Sequence, residues 1–267
     1  MKTKNVFFIA ITATLLASCA TTSSYYQVYN TNFSDSTIKL IDNSIVFEDT
    51  NCTVFYNFWG EGGNVGFKLY NKSDKNIYLN KEESFFVLNG ISNNYYKARV
   101  FTNTKNTSSS MTQAANNSSK KGKPTLSSTS TSYGSSVSNT EEKTICIPAK
   151  TSKIISEYTI NQSLIRDCDL FKYPNKKQIS TKLYTKTNSP IVFSNRIHYK
   201  IANSEEIFKF ENEFFVSEIT NYPEKEVFEF KKEEYCGQKG ELLRYFKNSA
   251  PDKFYFEYKK DIDTWKH

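Results

Sequence analysis

From Cys52 onward the chain changes character at almost every step. Val54, Tyr56 and Phe58 alternate with Phe55, Asn57 and Trp59. After Gly60-Glu61-Gly62-Gly63-Asn64 the alternation resumes, with Val65, Phe67 and Leu69 set against Lys68 and Tyr70. A period of two built from β-branched and aromatic residues marks a half-buried strand, because successive side chains point to opposite faces. Such a run cannot lay an apolar stripe along a helix, whose faces repeat every 3.6 residues. Two of these runs joined by a glycine-rich turn predict a β-hairpin.

The same texture recurs. Asn71-Lys72-Ser73-Asp74-Lys75-Asn76 is a turn before Ile77-Tyr78-Leu79, and Phe85-Phe86-Val87-Leu88, the Asn89-Gly90 turn and Tyr95 to Phe101 follow. Further strands are expected at Thr144 to Ile147, Lys153 to Ile160, Gln178 to Thr185 and Ile191 to Ile201, with a short helix at Asn161 to Leu170. Ile207 to Ile219 fits either a helical or a strand step; its Phe and Val content favours strand. Val227 to Phe230 and Phe254 to Tyr258 read as strands, and Leu242 to Phe246 as a strand or a helical turn. The 21 Phe, 18 Tyr and 2 Trp supply the bulk of a core.

One segment breaks the pattern. Residues 102–143 hold 12 Ser and 8 Thr among 42 positions, too little apolar surface to offset the entropy of ordering. A disordered insertion is expected there. Its Lys120-Lys121-Gly122-Lys123 could touch anionic lipid or glycan, or be plain soluble loop. With strands on both sides, it is a loop within one domain rather than a linker. Short strands separated by turns predict a mainly β sandwich. The apolar strand, the Asn71-Lys72-Ser73 turn and Ile77-Tyr78-Leu79 resemble, in pattern, the early strands of immunoglobulin-like bacterial envelope domains. The expected layout is a signal peptide at 1–18, a modified N-terminus and tether at 19–40, an immunoglobulin-like β-sandwich at 41–201 and a β-rich C-terminal extension at 202–267, packed on the sandwich.

The first residues carry Lys2 and Lys4 and no acid, followed by an apolar run from Val6 to Leu16. That is the layout of an export signal, and it falls short of the roughly 20 apolar residues that span a bilayer. Leu16-Ala17-Ser18-Cys19 resembles the lipobox of bacterial lipoproteins. The resemblance implies cleavage before Cys19, lipidation of its thiol and acylation of the new amine; several acyl chains on one residue make attachment stable. The competing reading is an ordinary secretory signal cut elsewhere. Ala20-Thr21-Thr22-Ser23-Ser24 has no Asp beside the cysteine and no acidic cluster, so nothing resembles an inner-membrane retention signal or a surface-export signal. Attachment to the periplasmic side of the outer membrane is the expectation, with membrane lipid as the partner of Cys19.

Formal charge is +7, from 35 basic and 28 acidic residues; removing Lys2 and Lys4 leaves 33 against 28, or +5. The lysines are interspersed with acids, as in Glu224-Lys225-Glu226, whereas a nucleic-acid binder concentrates its basic residues on one face. Nucleic acid is therefore not an expected partner. Cys52, Cys146, Cys168 and Cys236 are an even set in an exported chain and permit two disulfides, with Cys52 and Cys146 in strand-like runs and Cys168 and Cys236 in polar surroundings. Four unpaired thiols are the alternative. These cysteines are widely spaced and His198 and His267 are the two histidines, so no metal site is expected.

Motifs for catalysis and cofactors are missing. The glycines at 60, 62, 63 and 66 have Val65 where a dinucleotide fingerprint needs glycine, and a strand follows instead of a helix. His198 has no nucleophile elbow to serve. The acid pairs Glu48-Asp49, Glu82-Glu83 and Glu205-Glu206 are strand neighbours that face apart. No cofactor, metal or catalytic residue is assigned. Trp59, ending a strand beside a glycine-rich turn, is the candidate ligand contact, against the simpler reading that it packs. The expected function is a non-catalytic, membrane-anchored envelope module for a protein or glycan partner. A glycan-directed hydrolase with a carboxylate pair assembled from distant strands is the alternative.

Overall fold

A computed structural model describes residues 23–114 and 126–260, with side chains described outside 103–137. The expected signal peptide, Cys19, the Lys120-Lys121-Gly122-Lys123 stretch, Trp265 and His267 lie outside the described residues. The fold is mainly β, 58% strand against 3% helix. Two antiparallel sheets face each other across one core, the layering of immunoglobulin-like sandwiches, and the arrangement curls as a half-barrel.

The smaller sheet runs in the order β11 (Ser152–Ile155), β5 (Phe67–Asn71), β4 (Cys52–Tyr56), β3 (Ser44–Glu48), β2 (Ile38–Ile41). The larger runs β10 (Thr144–Ile147), β6 (Ile77–Leu88), β13 (Val192–Ile201), β14 (Ile207–Pro223), β1 (Ser23–Asn32), β17 (Lys253–Lys260). Beside this path, β7 (Ile91–Asn94) pairs with β6 and β12 (Thr181–Leu183) pairs with β14. The expected hairpin across the glycine-rich stretch forms, with Tyr56 opposite Phe67 and Cys52 opposite Asn71. Asn89 and Gly90, at φ +47° and +82°, make the tight turn from β6 to β7 that an Asn-Gly pair favours.

Alternation fills the core. Val54 and Tyr56 from β4 and Phe67 and Leu69 from β5 point inward, and meet Phe193 of β13 and Phe214 of β14 from the other sheet. Tyr56 and Phe214 stand 5.3 Å apart, Phe58 and Phe193 5.2 Å, and Phe47 and Phe210 4.9 Å. Burying one such ring contributes about 2 kcal/mol. Polar groups inside the sandwich are bonded across it: the Tyr56 hydroxyl donates to Asn212 Oδ1 at 2.8 Å and the Tyr95 hydroxyl to Asn195 Oδ1 at 2.6 Å.

Three expectations need correction, and the two readings of the cysteines are distinguished. Residues 23–32 are no tether, because β1 is an interior strand between β14 and β17, with Tyr29 fully buried. Likewise β14 and β17 do not pack on the sandwich from outside; both belong to its larger sheet, β14 in the interior and β17 at the edge. The part that does lie on the outside is the hairpin of β15 (Phe228–Tyr235) and β16 (Gln238–Phe246), reached through the single-turn helix α1 (Glu224–Val227).

Residues 161–170 form no helix, since their main chain bonds elsewhere: the Asn161 amide donates to the Gly62 carbonyl and the Ile165 amide to Gln27 Oε1, both at 2.8 Å. None of the four candidate cysteines is disulfide-bonded. Cys52 faces the core, whereas Cys146 on β10 is exposed on the far side of the larger sheet. Cys168 is exposed in the irregular segment and Cys236 at the tip of the β15–β16 hairpin.

The insertion expected over 102–143 leaves the sandwich between β7 and β10. Its arms β8 (Val100–Ala114) and β9 (Leu126–Thr140) pair with each other and join neither sheet. Its root is fixed by charge. Glu141, 7% exposed, accepts from Lys81 Nζ and Arg99 Nη2 at 2.8 Å each and from the Lys97 main-chain amide at 3.0 Å. Arg99 continues to Glu157 through two 2.8 Å bonds.

Candidate functional site

The glycine-rich loop after β4 is where the larger sheet, the irregular segment and the outer hairpin converge. The amide of Phe58 donates to the Pro251 carbonyl at 2.8 Å, that of Gly62 to the Tyr255 carbonyl at 2.7 Å and that of Asn64 to the Phe58 carbonyl at 3.1 Å. Gly63 donates back to Gly60 at 3.2 Å, and Gly66 donates to the Asn64 side chain at 3.0 Å. With these amides engaged, the loop has no nest to cradle a phosphate, and it is clamped rather than free to swing.

The clamp fixes Trp59. Its indole meets Phe246 edge-on at 4.9 Å and Tyr255 at 5.3 Å. Phe246 in turn packs on Phe228 at 4.3 Å, and Phe228 on Tyr26 at 5.2 Å. The result is a second, smaller aromatic core between the outer face of the larger sheet and the β15–β16 hairpin. Arg244 caps it, with its guanidinium 3.4 Å from the Phe228 ring centre and 2.7 Å from Glu224. Burial there, followed by the charge of Glu257, pushes the Tyr26 phenol up to about 12.

Beside Trp59 this core opens into a small cleft of about 90 Å3. Its floor is the outer face of the larger sheet: Val28 and Asn30 of β1, and Glu218, Thr220 and Tyr222 of β14. Pairing in register, Val28 with Thr220 and Asn30 with Glu218, brings these residues onto one face. Trp59, Phe246, Val227 and Glu226 form the walls, and Lys253, Asn248 and Thr181 complete the lining. The polar groups are already ordered: the Asn30 amide donates to Glu218, Thr181 and Thr220 share a 2.7 Å hydroxyl bond, and Glu226 pairs with Lys176 at 3.3 Å. An aromatic wall facing a floor of fixed amide, hydroxyl and carboxylate groups can hold a polar ring by its apolar face and its edge at once.

The remaining sequence candidates do not converge here. His198 sits on β13 with Glu83 3.8 Å from its Nδ1, and the Ser84 hydroxyl beside it donates to the Asn80 carbonyl and accepts from the His198 main-chain amide. No nucleophile is aimed at the imidazole from that side. The neighbouring acids diverge: Glu48 pairs with Lys72 at 2.8 Å, while Asp49 accepts from the Tyr199 hydroxyl at 2.7 Å. Burial pushes the Cys52 thiol far up, so it is no nucleophile at neutral pH. Among the described residues, no group of three or more His, Cys, Asp or Glu could hold a metal ion.

Sequence reasoning singled out Trp59 but missed Phe246, Tyr222, Glu218 and Glu226. They come from β16, β14 and α1 and reach the cleft only through strand register, which no spacing along the chain announces.

No family model matches this chain, and no curated protein matches it. A crystal structure of a lysenin pore aligns over 84% of this chain and 63% of its own at 9% identity and a TM-score of 0.12. The chain thus spans less than two thirds of that structure, and so weak a likeness bears on neither fold nor function.

Proposed function

We propose that the chain is a lipid-anchored envelope lipoprotein whose β-sandwich is a non-catalytic binding module. Cys19 holds it to the periplasmic side of the outer membrane, and the Trp59 cleft receives a glycan of the envelope. One observation carries the binding role: a small ordered cleft in which a clamped tryptophan faces fixed hydrogen-bonding groups. A sugar presents C–H faces and hydroxyl edges, the two chemistries that this cleft offers.

Titration with N-acetylhexosamine oligosaccharides released from cell wall tests this reading. Binding should quench tryptophan emission and weaken by about tenfold or more in Trp59→Ala, the loss expected for one central aromatic contact. No binding by the wild-type chain would remove the glycan reading.

A glycan hydrolase is the second reading, because Glu218 and Glu226 line the same cleft. Glycosidases need one carboxyl free to protonate the leaving oxygen. Here Glu218 is engaged by the Asn30 amide and Glu226 by Lys176, which favours binding without turnover. Release of reducing sugar that disappears in Glu218→Gln would reverse that preference.

A further inference from the structure

We propose that the end of the larger sheet where β1 begins and β17 finishes docks directly on the anionic headgroup layer that holds the Cys19 lipid. This rests on the anchor proposed above and specifies how the anchored body sits.

The first consideration is reach. In the described residues β1 starts at Ser23, paired with Lys260, and Ala20, Thr21 and Thr22 stand between it and Cys19, four residue steps in all. At about 3.5 Å per residue, they hold Ser23 within about 14 Å of Cys19 however they run. A body of this size on so short a lead must present one particular end to the lipid.

The second is what that end presents. Tyr25, Tyr173 and Tyr258 cluster there, with ring centres 5.2 Å apart for Tyr25–Tyr173 and 5.8 Å for Tyr25–Tyr258. Lys172 lies 4.8 Å and Lys260 5.5 Å from the Tyr173 ring centre, and both are exposed, as is Lys259. Next to them Phe171 is 56% exposed. Tyrosines with an apolar body and a polar tip, flanked by lysines, suit the boundary between water and lipid headgroups. Glu257 and Glu61 lie with Lys259 on the sheet's other face, where Glu257 accepts from the Ser24 hydroxyl at 2.9 Å. Beside the tyrosines themselves the charge comes from Lys172 and Lys260 and is positive, complementary to anionic lipid.

The test uses the complete processed chain, reconstituted in vesicles of phosphatidylethanolamine with phosphatidylglycerol and, in parallel, of phosphatidylcholine. A water-soluble acetylating ester is added, and modification is read peptide by peptide by mass spectrometry. Lys172, Lys259 and Lys260 should react about fivefold more slowly on the anionic vesicles, while Lys231 and Lys232 of β15 react equally on both. The same spectra report the mass of the N-terminal peptide. An acylated terminus with equal rates at all five lysines overturns the docking alone. A terminus without acyl chains overturns the anchor and the docking together.

Discussion

Two residues show how tightly single side chains are held to this arrangement. Gly63 has φ +76°, and a Cβ there would come within 2.8 Å of Ile160 Cδ1 and 2.9 Å of Phe254 Cγ. Gly63→Ala should therefore lower stability by about 2 kcal/mol through combined strain and overpacking. Gly60, with nothing within 4 Å, should accept alanine within about 0.5 kcal/mol. Urea midpoints of the two variants decide this; equal midpoints would mean the loop yields. Glu141 is the electrostatic counterpart. Arg99 holds its carboxyl well below the usual carboxylate range, more than burial raises it. A folded-state value lower than the unfolded one stabilises above the ordinary carboxyl pKa of 4.5, and the contribution fades as pH falls below it. Glu141→Gln leaves Lys81, 8% exposed, without its counter-charge, and should cost about 3 kcal/mol at neutral pH. The gap from wild type, measured by urea unfolding, should narrow at about pH 3, because the carboxyl of the unfolded wild-type chain binds a proton there while the folded one still resists it. A gap that widened in acid would contradict the assignment.

Among the elements, the sandwich strands of residues 45–88 were legible and β1 was not, for a physical reason. In β4 and β5 the inward positions are mostly apolar, so the period of two shows plainly in the letters. On β1 the inward positions are Tyr25, Gln27, Tyr29 and Thr31, and the sequence there looks like a soluble lead. Structure supplies what composition could not: Gln27 Nε2 donates to the Ile165 carbonyl and to Asn221 Oδ1, both at 2.9 Å, and Tyr29 stacks on Phe254 at 4.4 Å. A polar core strand becomes affordable only when distant partners satisfy it, and distant partners are invisible to a local pattern. The same holds for residues 161–170, whose helix-like composition yields to bonds with Gln27 and Gly62. A chain cut to begin at Ile41, the start of the sandwich read from sequence, would leave β14 and β17 without the strand that joins them. It should show no cooperative thermal transition by far-ultraviolet dichroism, whereas one that melted cooperatively would show β1 to be dispensable.

For the whole molecule, β1 would act as a ruler from the proposed anchor to the cleft. Ser23 starts the strand at the proposed lipid-facing end, and Tyr255, on which Trp59 packs, lies opposite Val28. Five residues of strand at about 3.3 Å each put Trp59 roughly 16 Å farther from the lipid than Ser23. That exceeds the depth to which a docked surface sinks into headgroups, about 5–10 Å. The cleft would then open sideways into the aqueous space above the leaflet, where a cell-wall glycan can reach it and acyl chains cannot. The proposed anchor and the proposed binding surface would then share one small body without competing for the same face. Depth-dependent quenching reads this directly in a Trp265→Phe background, where Trp59 is the sole tryptophan. In vesicles, iodide added to the water should quench Trp59 emission, while phospholipids brominated on their acyl chains should leave it unchanged. Quenching by the brominated lipid would place the cleft at the membrane, and a soluble glycan could no longer be its ligand.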